Sequence, residues 1–298
     1  MTRDEQSLRD DDSVEVLVGL RSLATQVKPR FMLPAVATAG FGTLLAPTVA
    51  PTVAGSHVLC VALALYIAHL RDEYVDAHVR GEEEPSVTRR LLSAATVTAV
   101  VGFILSLGAL WLLTDALAAA LTLPLLAFAL LHAPYLDTNP ITVSADYPLA
   151  IGLVICGGYA AQTGMVPEWL IWVAGAFVLV LVGATVALDR LDRAFDATID
   201  KLTVPVVLGD RRAALLSAGL VAAGGALVVI GVGAGTLPAP TLVAAVVPML
   251  AAVASYRAPP RRAVAIQMAA AYPFASMLFL TICPGVDCVI LDGIGPLF

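Results

Sequence analysis

Nine stretches of mostly apolar residues, each about 20 residues long, run through the chain and constrain its fold more than any other feature. A helix of about 20 apolar residues crosses the roughly 30 Å of hydrocarbon in a bilayer. The pattern therefore predicts nine transmembrane helices. Their approximate bounds are 31–50, 54–70, 91–113, 116–134, 147–166, 168–188, 213–235, 238–256 and 263–282.

The composition excludes the other broad classes of protein. Hydrophobic residues make up 59% of the chain and charged residues 13%, against about 45–50% and 25% in soluble domains. A net charge of −6 without Lys/Arg clusters among aromatic residues argues against a nucleic-acid partner. We therefore predict an all-α integral membrane protein, with nine transmembrane helices around a central cavity.

The basic residues fall in alternate loops between the predicted spans. Because Lys and Arg collect on the cytoplasmic side of a membrane, this pattern predicts a cytoplasmic N-terminus in a multi-pass protein of the cell membrane. The basic residues are Arg3, Arg9, Arg21, Lys28 and Arg30 before the first span, Arg71, Arg80, Arg89 and Arg90 after the second, Arg190, Arg193, Lys201, Arg211 and Arg212 after the sixth, and Arg257, Arg261 and Arg262 after the eighth.

The same reasoning divides the chain into three parts. Residues 1–21 form an acidic N-terminal tail, residues 22–282 the nine-helix domain, and residues 283–298 a short C-terminal tail on the outer side. The outer tail contains Cys283 and Cys288, which either form a disulfide or remain free thiols.

Acidic residues gather at the cytoplasmic ends of the second and sixth spans. Carboxylates four residues apart share one helix face and repel each other, so each cluster needs a compensating cation. Mg²⁺ prefers oxygen ligands and commonly bridges one or two carboxylates to substrate phosphates. The first acidic motif is Asp72 and Asp76, and the second is Asp189, Asp192, Asp196 and Asp200.

Two facing motifs of this kind suit the binding of a diphosphate through Mg²⁺, and the apolar spans suit a long hydrocarbon tail. This combination indicates transfer of an isoprenoid group from its diphosphate. The alternative interpretation is that the acidic residues are solvated helix ends without a site.

Several segments resemble the UbiA superfamily of intramembrane prenyltransferases. Asp72 and Asp76 in RDEYVDAHVR match part of its first motif, NDxxDxxxD, and Asp192 and Asp196 match its second, DxxxD. TVPVVLG at 203–209 and KPRFMLPAVATAGFGTLL from Lys28 are also similar to family segments. The resemblance covers about residues 22–282 and implies a nine-helix prenyltransferase.

The chain also departs from the family pattern. Arg71 replaces the Asn of the first motif, Arg80 replaces its third Asp, and Asp200 stands where the family often has Gly. The loop between the fourth and fifth spans lacks the family's usual basic residue. It offers Tyr135, Asp137, Asn139 and Asp146 instead.

The resemblance implies a cytoplasm-facing active site that uses Mg²⁺, a polyprenyl diphosphate donor such as geranylgeranyl diphosphate, and a lipophilic acceptor among the membrane lipids. A terpene cyclase or hydrolase of the same fold, a membrane transporter and a non-catalytic lipid-binding paralogue remain alternatives. The expected catalytic and metal-binding residues are Asp72, Asp76, Asp192 and Asp196, with Asp189 and Asp200 as additional metal ligands, and the expected diphosphate-binding residues are Lys28, Arg30, Arg80, Arg193 and Lys201.

Overall fold

The computed structural model describes residues 19, 21–82, 84–199, 201–286 and 288. This part of the chain is helical, with short connections and no β-strand. The α-helices are α1 (Pro29–Leu44), α2 (Pro51–Val75), α3 (Arg89–Leu113), α4 (Ala116–Thr122), α5 (Pro124–Leu131), α6 (Thr142–Thr163), α7 (Glu168–Asp196), α8 (Val204–Leu208), α9 (Asp210–Gly233), α10 (Leu242–Tyr256) and α11 (Pro260–Val286).

Helix α2 continues as a π-helical segment, and a second segment with π-type hydrogen bonding follows α5 but is kinked at Ala133, whose backbone angles are not helical. Asp76–Arg80 follows α2, and His132–Leu136 follows α5. A π-helix bonds residue i to i+5 and is rare outside single turns, which occur often at functional sites. Both segments lie next to residues that the sequence marks as candidates for a site.

Eight helical segments in the described part of the chain are long and apolar enough to cross a membrane. The remaining predicted span, 31–50, corresponds to α1, which has 16 residues and ends at Leu44. Pro47 follows this end and Pro51 begins α2, so the chain turns earlier than the apolar pattern predicts. The eight segments of sufficient length and hydropathy are Pro51–Arg80, Arg89–Leu113, Ala116–Leu136, Thr142–Thr163, Glu168–Asp196, Asp210–Gly233, Ala239–Tyr256 and Pro260–Cys283.

Small residues let the helices pack closely. A Cβ at Gly42 of α1 would lie 2.3 Å from the carbonyl oxygen of Ile155 in α6, and one at Gly224 of α9 would lie 2.8 Å from the carbonyl oxygen of Ala176 in α7. Without a strong hydrophobic force between helices in lipid, such close backbone packing is a main source of association. These contacts fix α1 against α6 and α7 against α9.

Buried amide and hydroxyl groups join α9, α10 and α11. The Nε2 atom of Gln267 donates to Ser217 Oγ at 3.0 Å and to Ser255 Oγ at 2.9 Å. Ser217 Oγ in turn donates to the carbonyl oxygen of Gly183 at 2.7 Å. This network ties the second half of the bundle to α7, which carries the second acidic motif.

We expect Gln267→Leu to lower the free energy of unfolding by about 0.5–1.5 kcal/mol, the usual range for hydrogen bonds between membrane helices. The effect is modest because Ser217 also bonds to Gly183. Thermal unfolding in detergent measures it. Met268→Leu is the matched control, since Met268 is exposed beside Gln267, and an equal loss in this control would contradict the role of the network.

The C-terminal part of the described chain ends near a disulfide between Cys283 and Cys288. Of the two states that the sequence leaves open, the structure therefore contains the bridged one. Helix α11 extends to Val286 and so continues past the predicted boundary at 282. Most of the predicted N-terminal tail, and residues 289–298, lie outside the described residues.

Candidate active site

The first acidic motif lies at the end of α2, and its two carboxylates are one helical turn apart. The Asp72 and Asp76 side chains are 29% and 33% exposed. Both are therefore accessible, although the motif belongs to a helix that is otherwise packed in the bundle. This geometry leaves carboxylate oxygens available to a cation or to a solvated ligand.

Asp72 also faces a histidine that the sequence does not connect to it. The Nε2 atom of His132 lies 3.8 Å from Asp72 Oδ1. On its other side, His132 Nδ1 donates a hydrogen bond to Asp146, whose side chain is 4% exposed. The buried Asp146 thus orients the imidazole toward the first acidic motif.

Arg80 contacts three carboxylates at the end of the π-helical segment after α2. Its Nη1 and Nη2 atoms donate to Asp137 at 2.6 and 2.9 Å, which forms a bidentate ion pair. Nη1 also lies 3.5 Å from Asp76 Oδ1, and Nε lies 3.7 Å from Glu82 Oε1. The guanidinium group that the sequence suggests as a diphosphate ligand is therefore engaged with Asp137.

Glu82 lies just beyond the end of the second span. Burial of its side chain raises the pKa of Glu82 above the ordinary value, and the nearby charge of Asp76 acts in the same direction. The Arg80 cation opposes this rise. Burial has the largest effect on the pKa of Glu82, because a carboxylate loses hydration when its side chain is enclosed.

The second acidic motif lies on the last turns of α7, and its members differ in their surroundings. Asp192 is exposed, whereas Asp196 is buried and accepts a hydrogen bond from Thr203 Oγ1 at 3.0 Å. Asp189 accepts a hydrogen bond from Ser144 Oγ at 3.3 Å. Asp200 lies outside the described residues.

One lysine is close enough to act on both acidic motifs. The charge of Lys201 interacts with Asp72 and Asp76 of the first motif. It also interacts with Asp189 and Asp196 of the second. The start of α6 also contacts both motifs, since Ser144 donates to Asp189 and Asp146 accepts from His132 beside Asp72. The two motifs therefore border a common region.

The other basic candidates have different positions. The charge of Lys28 interacts with Asp72, which places this residue near the first motif. Arg193 Nε instead donates to the carbonyl oxygen of Pro205 at 2.9 Å. The side chain of Arg30 lies outside what the structure describes.

The donor set fits Mg²⁺ held jointly with a diphosphate better than Mg²⁺ enclosed by protein alone. Within the described residues, no three His, Cys, Asp or Glu side chains are placed to hold a metal ion together. Mg²⁺ commonly takes only one or two carboxylates and completes its shell with water and substrate phosphate. The exposed oxygens of Asp72, Asp76 and Asp192 meet this requirement.

Two clefts of about 410 and 660 Å³ lie on a different face of α7. Both are lined by Arg190 and Asp210, which form an ion pair with a shortest distance of 2.8 Å. Residues 190, 193, 194 and 197 line the smaller cleft, whereas the second acidic motif uses 189, 192 and 196. Helical spacing thus separates these clefts from the motif.

Comparison with known proteins identifies the family. The model of the UbiA prenyltransferase family matches residues 29–280. The chain belongs to the UbiA prenyltransferase family. The resemblance to this family is thereby confirmed, whereas a search of curated proteins finds no significant match.

Solved structures of the UbiA family have the same fold. A structure of digeranylgeranylglyceryl phosphate synthase has a TM-score of 0.69 at 12% identity, and covers 90% of this chain and 99% of its own. A UbiA homologue from Aeropyrum pernix K1 has a TM-score of 0.68 at 19% identity, and the match covers 85% of this chain and 98% of the homologue. A UbiA homologue from Archaeoglobus fulgidus bound to GPP and Mg²⁺ has a TM-score of 0.65 at 16% identity, and the match covers 89% of this chain and 99% of the homologue.

Proposed function

We propose that this UbiA family member catalyses Mg²⁺-dependent transfer of a polyprenyl group from its diphosphate to a lipophilic acceptor in the membrane. The observation that carries the proposal is that the start of α6 contacts both acidic motifs: Ser144 donates to Asp189, and Asp146 accepts from His132, whose Nε2 atom lies 3.8 Å from Asp72. A diphosphate needs cations on several oxygens, and carboxylates on two helices can hold those cations on either side of it. The complex of the Archaeoglobus fulgidus homologue with GPP and Mg²⁺ supports this choice of ligand class.

The residues divide into carboxylates that hold the metal and cations that balance phosphate charge. Asp72, Asp76 and Asp192 offer exposed oxygens. The charges of Lys28 and Lys201 act on Asp72 and add positive charge to the site. The complete proposed set also contains Asp189, Asp196 and Asp200 as further ligands, and Arg30 and Arg193 as further cations.

Charge stabilisation is the chemical task of this arrangement. When bound, Mg²⁺ neutralises the diphosphate, so that an allylic C–O bond ionises more readily. Lys28 and Lys201 lower the energy of the same developing negative charge. The apolar spans shield the hydrocarbon tail from water, which favours capture of the allylic group by the acceptor over capture by water.

The distribution of Arg and Lys supports a site on the cytoplasmic side of the cell membrane, with the N-terminus on the same side. The donor diphosphate would then reach the site from the cytoplasm, and the acceptor from the membrane. A quinone precursor ring, a prenylglycerol phosphate and a carotenoid-like polyene are all compatible acceptors.

The test measures pyrophosphate release by the purified full chain in lipid with geranylgeranyl diphosphate. We expect release that requires both Mg²⁺ and a membrane lipid extract, and the labelled product then identifies the acceptor class. Release without the extract favours a cyclase or hydrolase. Binding of the donor without release favours a non-catalytic paralogue, and neither binding nor release argues against the proposed donor class.

A further inference from the structure

Three carboxylates from two parts of the chain converge on the Arg80 guanidinium group. Asp76 begins the π-helical segment after α2 and Glu82 lies two residues beyond its end, whereas Asp137 directly follows the segment after α5. Their closest distances to Arg80 are 3.5, 3.7 and 2.6 Å. Glu82 and Asp137 have side chains that are only 10% and 5% exposed.

Glu82 gives this cluster a feature that an ordinary ion pair lacks. Its Oε1 atom is buried and has no hydrogen-bond partner among the described residues. The nearest cationic atom, Arg80 Nε, is 3.7 Å away, which is too far for a hydrogen bond. A buried acceptor thus points toward the cluster with its hydrogen-bonding capacity unused.

Carboxylate oxygens are also ligands that divalent cations prefer, but with Arg80 between them the three described side chains are not placed to hold a metal ion together. Arg80 lies between the three carboxylates and carries a single positive charge. Its guanidinium group is held by hydrogen bonds to both oxygens of Asp137. A guanidinium group keeps its charge throughout the physiological pH range. It therefore neutralises part of the cluster without depending on the concentration of free metal.

We propose that Arg80 is the built-in cation of this site and keeps the Asp76–Glu82–Asp137 cluster closed to divalent metal. Mg²⁺ then binds through Asp72, the partly exposed Asp76 and the second acidic motif. The assignment of the Mg²⁺ ligands rests on the proposed function, but the role of Arg80 in its own cluster does not. Arg80 acts as a positioning residue that joins the end of α2 to the α5–α6 connection.

Removal of the guanidinium group tests this proposal in the full chain in detergent without any donor. Mn²⁺ serves as the probe, and electron paramagnetic resonance counts the ions bound per chain. We expect Arg80→Met to bind one Mn²⁺ more than the wild type, and Arg80→Gln to do the same. Arg80→Lys keeps the charge and should retain the wild-type number.

Thermal unfolding supplies a second measurement. We expect Mn²⁺ to raise the Tm of Arg80→Met by several degrees more than that of the wild type, because the metal replaces the lost cation. The double variant Arg80→Met/Asp137→Leu lacks one ligand and should lose both the additional Mn²⁺ and the additional Tm shift.

The outcomes separate this proposal from the proposed function. Equal Mn²⁺ counts in wild type, Arg80→Met and Arg80→Gln overturn the role of Arg80. If Arg80→Met does not fold, the count for Arg80→Gln decides alone. A wild type that binds no Mn²⁺ without donor agrees with a metal held jointly with the diphosphate and leaves the proposed function intact, while a gain of one ion in Arg80→Gln still supports the built-in cation.

Discussion

Asp72→Asn and Asp192→Asn are each expected to lower Mg²⁺-dependent pyrophosphate release by about 100-fold or more, the size of effect seen when one group that stabilises transition-state charge is removed. Both substitutions keep the size of the side chain but remove one negative charge from an acidic motif. Release from geranylgeranyl diphosphate, measured over a range of Mg²⁺ concentrations, gives the effect on rate and on metal requirement. We expect the Mg²⁺ concentration for half-maximal rate to rise in both variants.

Glu84→Gln is the matched control for these substitutions. Glu84 is exposed in the connection after α2, so the variant loses the same charge close to the first acidic motif without losing a proposed ligand. We expect its rate and its Mg²⁺ requirement to stay within about twofold of the wild type. A full rate in Asp72→Asn, or an equal loss in Glu84→Gln, would falsify the assignment of the first motif.

Gly42→Ala is expected to lower the free energy of unfolding, unlike Gly40→Ala in the same helix. The new Cβ would lie 2.3 Å from the carbonyl oxygen of Ile155, and a main-chain atom cannot move away as a flexible side chain can. Helix α1 must therefore shift from α6, at a cost of about 1–3 kcal/mol. Since Lys28 directly precedes α1, the shift should also weaken activity.

Gly40→Ala adds the same methyl group two residues earlier in α1, where no atom lies within 4 Å of the new Cβ. Because Ala favours a helix over Gly by up to about 1 kcal/mol, this variant should be as stable as the wild type or more so. Thermal unfolding of both variants in detergent measures the difference. Similar Tm values for Gly42→Ala and Gly40→Ala would show that α1 does not depend on this close contact.

The sequence predicts those features that depend on local periodicity. Apolar stretches locate the membrane-spanning helices, and the spacing of Asp72 and Asp76 places them one turn apart because α2 remains α-helical through Val75. The length of α1 is predicted less well. Its apolar character continues to residue 50, but the chain turns after Leu44, since prolines interrupt the helix while hydropathy remains high.

The ionic contacts of the site depend instead on tertiary structure. Arg80 and Asp137 each stand out in the sequence, but 57 residues separate them and no periodic pattern relates them. His132 and Asp146 are only 14 residues apart, yet they lie on different helical segments. The opposite charges of Arg80 and Asp137 are the available sequence signal for the first pair. They identify a contact only once the end of α2 is known to pack against the α5–α6 connection.

The π-helical segment after α2 gives the Arg80–Asp137 pair a dependence on helical phase. Arg80 is the last residue of this segment, and Asp137 directly follows the segment after α5, with its N–H bonded to the carbonyl oxygen of His132. A single π turn accommodates one residue more than an α-helical turn, and each α-helical residue advances the side-chain direction by about 100°. Loss or gain of one residue in the segment after α2 would therefore turn Arg80 away from Asp137, although every charged side chain of the site would still be present.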